Sequence, residues 1–132
     1  MQNKESLYPK DWFVKASNDL NAARILFESG NLETAAFHIQ QAIEKYLKGY
    51  LLLKGWKIRR IHELDELLDE TLLYDKAFEK FRALCEMATE YYIEERYPLL
   101  ISTKLNKDEI GKTLKETEEL IRFIKSKMDN EA

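Results

Sequence analysis

Apolar positions recur along most of the chain at three- and four-residue intervals, the period of a helix with one buried face. The clearest example covers residues 31–54. Its stripe consists of Leu32, Ala35, Ala36, Ile39, Ile43, Tyr46, Leu47 and Tyr50. The other side carries His38, two adjacent glutamines and charged residues, with Phe37, Leu51 and Leu52 among them. Because apolar residues lie on both flanks, we expect this helix to be central to its domain or shared with a second chain.

Capping signals place the first two helices side by side. Asp11 is a candidate N-cap of the first helix, and Gly30 suits the left-handed residue that closes it. Asn31 is then a candidate N-cap of the second helix, which we expect to run to Lys54 and to stop at Gly55. A connection this short predicts antiparallel neighbours.

Three further helices are predicted after the irregular segment 55–61. A short one covers residues 62–68, and a third long one begins near Asp75 and ends around residues 96–97, because Pro98 disfavours the helical conformation of the residue before it. The last begins after Asn106, which forms a capping-box-like pair with Glu109. The predicted fold class is all-α: an up-and-down bundle of four long helices plus one short helix. We expect one domain over 11–128 behind a flexible N-terminal segment, 1–10.

Composition narrows the class of protein. The 132 residues are 45% apolar and 34% charged, with only four glycines and two prolines, which suits a charge-rich helical domain. A net charge of −3 argues against a wholly basic nucleic-acid coat but leaves room for a local basic patch. Cys85 is the only cysteine, on an apolar stripe, so we expect a small buried hydrophobe. We expect no cofactor, no metal and no membrane span, and the default interpretation is a cytoplasmic protein.

A basic segment follows the second helix and is the first candidate binding site. Lys54, Lys57, Arg59 and Arg60 surround Trp56 just before His62, in a chain that is otherwise acidic. Guanidinium groups suit phosphate oxygens, and an indole can stack on a base. The alternative is a solvated loop whose cations neutralise the acidic run 63–70.

Three other polar residues are weaker candidates. His38 and Lys45 lie two turns apart on one flank of the second helix, where ordinary surface polarity, with Glu44 pairing Lys48, is the alternative explanation. Arg96 falls on the inward stripe of its helix, either as a structural cation at the helix C-terminus or as a site residue facing a cleft. His62 and Arg96 could form a displaced catalytic pair, without support from their spacing.

These features, taken in order, resemble the HEPN family (higher eukaryotes and prokaryotes nucleotide-binding domain) over about residues 11–128. The resemblance rests on Trp12 with an alanine-spaced first helix, on Gly30-Asn31, on Gln40-Gln41-Ala42-x-Glu44-Lys45-x-x-Lys48, on His62-Glu63-Leu64-x-x-Leu67-Leu68 and on Arg96-Tyr97-Pro98. It implies an up-and-down helical bundle, often dimeric, that binds nucleotide or RNA. It also implies frequent pairing with a minimal nucleotidyltransferase in toxin–antitoxin-like modules.

Many members of that family are metal-independent ribonucleases with an Arg-x(4–6)-His motif, from which this chain departs. Neither His38 nor His62 has an arginine five to seven residues before it. We therefore expect a non-enzymatic, homodimeric module, with Lys57, Arg59, Arg60, His62, Arg96 and Lys45 as its candidate phosphate-binding residues. The alternatives are a purely structural interaction protein without a ligand and a metal-independent ribonuclease with an atypical site.

Overall fold

The computed structural model describes residues 6–57, 59–61, 63–96 and 105–129, with side chains through residue 91 and again in 105–128. Within these residues five α-helices and one 3-10 helix form an all-α bundle. The α-helices are α1 (Pro9–Glu28), α2 (Leu32–Leu53), α3 (Leu64–Leu72), α4 (Arg82–Arg96) and α5 (Lys107–Asp129), and the 3-10 helix covers Lys76–Phe81. The predicted fold class, four long helices plus one short helix, is confirmed.

Two predicted caps differ from the structure. Helix α1 begins at Pro9 with Tyr8 as its N-cap, because proline suits the first turn, where its missing N–H is not needed. Asp11 therefore lies inside the first turn and accepts a hydrogen bond from Ser6 at 2.6 Å. Asn31 does occupy the N-cap position of α2, but its amide donates to Ser29 instead of accepting from the helix.

Of the other predicted boundaries, most agree with the structure and two differ. Gly30 adopts φ +83°, the left-handed conformation that turns the chain from α1 into α2. Helix α4 ends at Arg96 as predicted, but it begins at Arg82 and not near Asp75. The residues between form the 3-10 helix, which Asp75 caps by accepting from the N–H of Ala77. Asn106 caps α5 by accepting from the N–H groups of Asp108 and Glu109. Helix α3, at 64–72, lies slightly later than predicted.

Helix α2 is the centre of the bundle, as its two apolar flanks predicted. It packs against α1, α3, α4 and α5. Gly49 lets α1 approach closely, because a Cβ there would lie 2.6 Å from the Phe13 ring. On the far side, the Tyr50 ring contacts Phe78 of the 3-10 helix with ring centres 4.8 Å apart, and Phe78 meets Phe123 of α5 at 4.9 Å.

Candidate functional site

A row of polar side chains runs along the buried side of α2. Gln40, Glu44 and Lys48 follow each other at four-residue spacing, and each is at most 4% exposed. Lys48 donates to one carboxylate oxygen of Glu44 at 3.2 Å, and Gln40 donates to the other at 3.3 Å. Gln41 extends the row by donating from its side-chain amide to Oε1 of Gln40 at 2.6 Å. The predicted pair of Glu44 with Lys48 is present, but its interpretation as surface polarity was wrong, because both side chains are buried.

The end of this row packs against α1. The Lys48 ammonium lies 5.2 Å from the centre of the Trp12 ring, within the range of a cation–π contact. Trp12 is itself fixed, since its indole N–H donates to the Ser6 carbonyl at 2.8 Å. Among the described residues no buried side-chain nitrogen or oxygen lacks a hydrogen-bond partner. A row that is buried and hydrogen-bonded in this way helps to position α1 on α2.

A second polar cluster joins the same two helices nearer the surface. Asp19 of α1 accepts from the Lys45 ammonium at 2.5 Å and contacts Nδ1 of His38 at 2.8 Å. Because a carboxylate only accepts, Nδ1 of His38 is the donor in this contact. The three side chains are partly exposed, at 13% for Asp19, 28% for His38 and 21% for Lys45.

The basic segment between α2 and α3 is exposed. Lys57, Arg59 and Arg60 all lie on the surface of one irregular loop, and Trp56 packs its ring partly onto the core. The Arg59 guanidinium donates to Glu70 of α3 while its side chain stays 61% exposed. The pair agrees with the suggested neutralisation of the acidic run 63–70, and it leaves a cationic surface at the C-terminal end of α2.

Arg82 pairs with the two aspartates of that acidic run. Its guanidinium donates to Asp65 at 3.1 Å and to Asp69 at 2.7 Å, and it also pairs with Glu79. The hydrogen bonds that it donates to Glu79, and then to Asp69, raise the pKa of Arg82 above its ordinary value. Arg82 of α4 therefore forms ion pairs with both aspartates of α3, and Arg59 of the loop forms one with Glu70.

The structure brings together only part of the predicted phosphate site. Lys57, Arg59 and Arg60 share one loop, whereas Lys45 belongs to the Asp19 cluster on the α1–α2 face. Arg96 is the last residue of α4, but its side chain lies outside the described residues. His62 likewise lies outside them, so the pair of His62 and Arg96 stays a prediction.

The described residues form neither a metal site nor a reactive thiol. Across the described ranges, no three His, Cys, Asp or Glu side chains come close enough together to hold a metal ion. Burial raises the pKa of the Cys85 thiol to about 12, in keeping with a small buried hydrophobe. No helix in the described part of the chain is both long and apolar enough to cross a bilayer.

The partners of both polar clusters were not visible in the sequence. Trp12 and Asp19 lie on α1, and nothing in their local pattern marks them as contacts of Lys48, His38 or Lys45. One available signal was the width of the apolar arc on α2. Leu47 and Leu51 lie on one side of Glu44 and Lys48 on the helix surface, which placed those polar side chains next to buried positions without fixing their own burial.

The fold and site together are those of a small α-helical module, with a central helix that buries a polar row and a basic loop after it. The model of the HEPN domain matches residues 9–127, nearly the whole chain. This chain therefore belongs to the HEPN domain family.

Relatives agree with that assignment. A protein of Methanocaldococcus jannaschii that is named as a candidate toxin is 27% identical over 132 residues, covering 89% of this chain and 86% of the relative. The crystal structure of TT1696 from Thermus thermophilus superposes with a TM-score of 0.80 at 25% identity, covering 90% of this chain and 97% of the other. ST0689, an archaeal HEPN homologue, shares the fold at 23% identity with a TM-score of 0.73, covering 91% and 97% of the two chains.

Proposed function

We propose that this chain is the HEPN component of a toxin–antitoxin-like pair and that it binds nucleotide or RNA phosphate through the loop carrying Lys57, Arg59 and Arg60. Membership of the family supports the first part, together with the likeness to a candidate toxin over most of both chains. The exposure of the three loop cations carries the second part. They lie together on one irregular segment, and Arg59 stays largely exposed while it pairs with Glu70.

The chemistry of the loop suits phosphate in particular. Arginine forks bind phosphate oxygens in a bidentate way, and exposed cations on one short segment can follow a single-stranded backbone. Asp19 holds Lys45 elsewhere, so the proposed binding surface is the loop alone. The partner proposed from the family resemblance is a minimal nucleotidyltransferase, and the assembly we propose is a cytoplasmic homodimer of this chain.

RNA binding at two or more salt concentrations tests the loop. A fluorescent single-stranded RNA should bind with a log–log salt slope of about −2 if about three phosphates are neutralised. The double change Arg59→Ala with Arg60→Ala should reduce that slope to about −0.7 and weaken binding at low salt. The matched control is Lys15→Ala with Arg122→Ala, which removes two exposed cations elsewhere. Equal losses in the two double variants would mean that binding follows net charge and not this loop.

A cleavage assay separates a binding module from a ribonuclease. Because the Arg-x(4–6)-His spacing is absent, we expect no RNA cleavage above background by the purified protein in the presence of a chelator. Robust cleavage abolished by His62→Ala or Arg96→Ala, with unchanged melting temperatures, would instead establish an enzyme. Light scattering on the same sample tests the proposed dimer, since a particle of 15.7 kDa would be a monomer.

A further inference from the structure

A groove opens on the surface of the bundle between the first half of α1, the C-terminal half of α2 and the end of α5. Its volume is about 450 Å³. The side chains that give it its character are Lys10, Phe13, Val14, Tyr46, Leu53 and Lys125. We call it the lysine-flanked groove, because these two lysines are its charged lining residues.

The floor of the groove is apolar and firmly held. Phe13 packs against Tyr46 with ring centres 5.8 Å apart, and its ring lies over Gly49. Val14 and Leu53 are left 52% and 44% exposed at the walls. A preformed apolar surface with exposed branched side chains is typical of a place where another apolar group docks.

The charged residues among the described lining of the groove have one sign. Lys10 of α1 and Lys125 of α5 face solvent from two different helices, and the remaining lining residues are uncharged. The chain as a whole carries 24 acidic residues against 21 basic ones. The charged residues of this lining, which are both basic, therefore differ from the composition of the chain as a whole. This arrangement is electrostatically complementary to an acidic partner.

A second groove, also between α1 and α5, lacks this character. Four basic residues line it together with Glu28, Asp108 and Glu118. Arg24 and Glu118 close an ion pair across the two helices at 2.6 Å. Because its cations face acidic groups of this same chain, its charge complements an acidic partner less well than that of the lysine-flanked groove.

We propose that the lysine-flanked groove docks an amphipathic helix of a partner protein, with apolar side chains in the groove and acidic residues on both sides of them. The groove follows α1 from Pro9 to Ser17, a length of about 12 Å at 1.5 Å per residue, which matches about two turns of a helix. Such a segment would present apolar anchors at positions i, i+3, i+4 and i+7. The proposal does not depend on phosphate binding by the loop.

Two synthetic helical peptides test the charge preference. Both carry leucines at i, i+3, i+4 and i+7, and one has glutamates while its twin has lysines on both sides of the stripe. We expect the glutamate peptide to bind the intact protein about tenfold more tightly than the lysine peptide, because two exposed charge contacts change from attraction to repulsion. Equal affinities, or preference for the lysine peptide, would overturn the proposal.

Substitutions locate the binding. Val14→Glu should weaken binding of the glutamate peptide at least about tenfold, because it places a negative charge in the groove. Ile25→Glu, at an exposed apolar position of the same helix, should leave the affinity unchanged. Lys10→Glu with Lys125→Glu should reverse the preference between peptides, and the control Lys76→Glu with Lys112→Glu should not. The proposal would be overturned if Ile25→Glu weakened peptide binding as much as Val14→Glu does. It would also be overturned if the control double variant reversed the preference between peptides as the Lys10 and Lys125 double variant does.

Self-association is the competing occupant. Light scattering on Val14→Glu and on Ile25→Glu distinguishes it, since a dimer disrupted only by Val14→Glu would assign the groove to a second copy of this chain and overturn the proposal. Peptide binding that persists in the Arg59→Ala and Arg60→Ala double variant separates this surface from the loop. Absence of RNA binding would therefore contradict the proposal for the loop and not the proposal for the groove, and absence of peptide binding would do the reverse.

Discussion

Lys48 and Lys57 belong to one stretch of sequence, yet the structure uses them in opposite ways. Lys48 is fully buried on α2, where it pairs with Glu44 and lies over the Trp12 ring. Lys57 is exposed on the loop that follows. Buried charges need partners held in place, whereas exposed charges contribute little to folding and stay available to ligands. The difference indicates that α2 carries stability, and we expect the loop after it to carry recognition.

The largest expected effect comes from breaking the buried row. Lys48→Ala should lower the free energy of unfolding by about 3–5 kcal/mol, because it leaves the Glu44 carboxylate buried without this cation. Urea denaturation measures the loss, and Lys57→Ala is the matched control with almost no expected change. The double variant Glu44→Gln with Lys48→Met should recover part of the stability. A Lys48→Ala variant as stable as Lys57→Ala would remove the distinction between the two regions.

An intermediate effect is expected for the partly exposed cluster between α1 and α2. Asp19→Ala removes the shared acceptor of Lys45 and His38 and should cost about 1–2 kcal/mol. Asn18→Ala, at an exposed neighbouring position, is the control and should stay near the parent protein. A loss as large as that of Lys48→Ala would show that partial exposure does not weaken the cluster.

A smaller, pH-dependent effect is expected at Asp75. The hydrogen bonds that its carboxylate accepts from Lys127, at 2.9 Å, and from the N–H of Ala77 lower the pKa of Asp75 below its ordinary value. A carboxyl whose pKa is lowered by folding stabilises the protein above its unfolded-state pKa, and this contribution is lost as the pH falls through the folded-state pKa. Asp75→Asn keeps a capping oxygen and should lose less than about 1 kcal/mol near neutral pH. Urea denaturation of both proteins should give converging stabilities in acid, and a gap that widens there would contradict the sign.

The smallest effect on stability is expected for the loop. The Arg59→Ala and Arg60→Ala double variant should change the free energy of unfolding by less than about 1 kcal/mol, since the Arg59–Glu70 pair is exposed on the arginine side. Thermal melts run beside the RNA titration measure this. A large drop in melting temperature would mean that the loop cations support the fold, and loss of RNA binding could then not be assigned to lost phosphate contacts.

The helices and several of their ends could be predicted from local sequence because the physical causes are local. The three- and four-residue period of apolar positions, the left-handed Gly30 and the cap at Asn106 all operate within a few residues. The same local logic misplaced the start of α1, because Pro9 suits the first turn of a helix and α1 begins there, two residues before Asp11. The candidate loop could also be found, since a cluster of cations on a short irregular segment is visible in sequence.

Burial of Gln40, Glu44 and Lys48 was decided only by the tertiary structure. Helical period orders the faces of α2, but the number of neighbouring helices fixes how much of its circumference is covered. The contacts of Trp12 with Lys48, and of Asp19 with His38 and Lys45, join residues far apart in sequence. The sequence by itself therefore determined the helices, and their packing decided which charges are buried in the core and which stay at the surface.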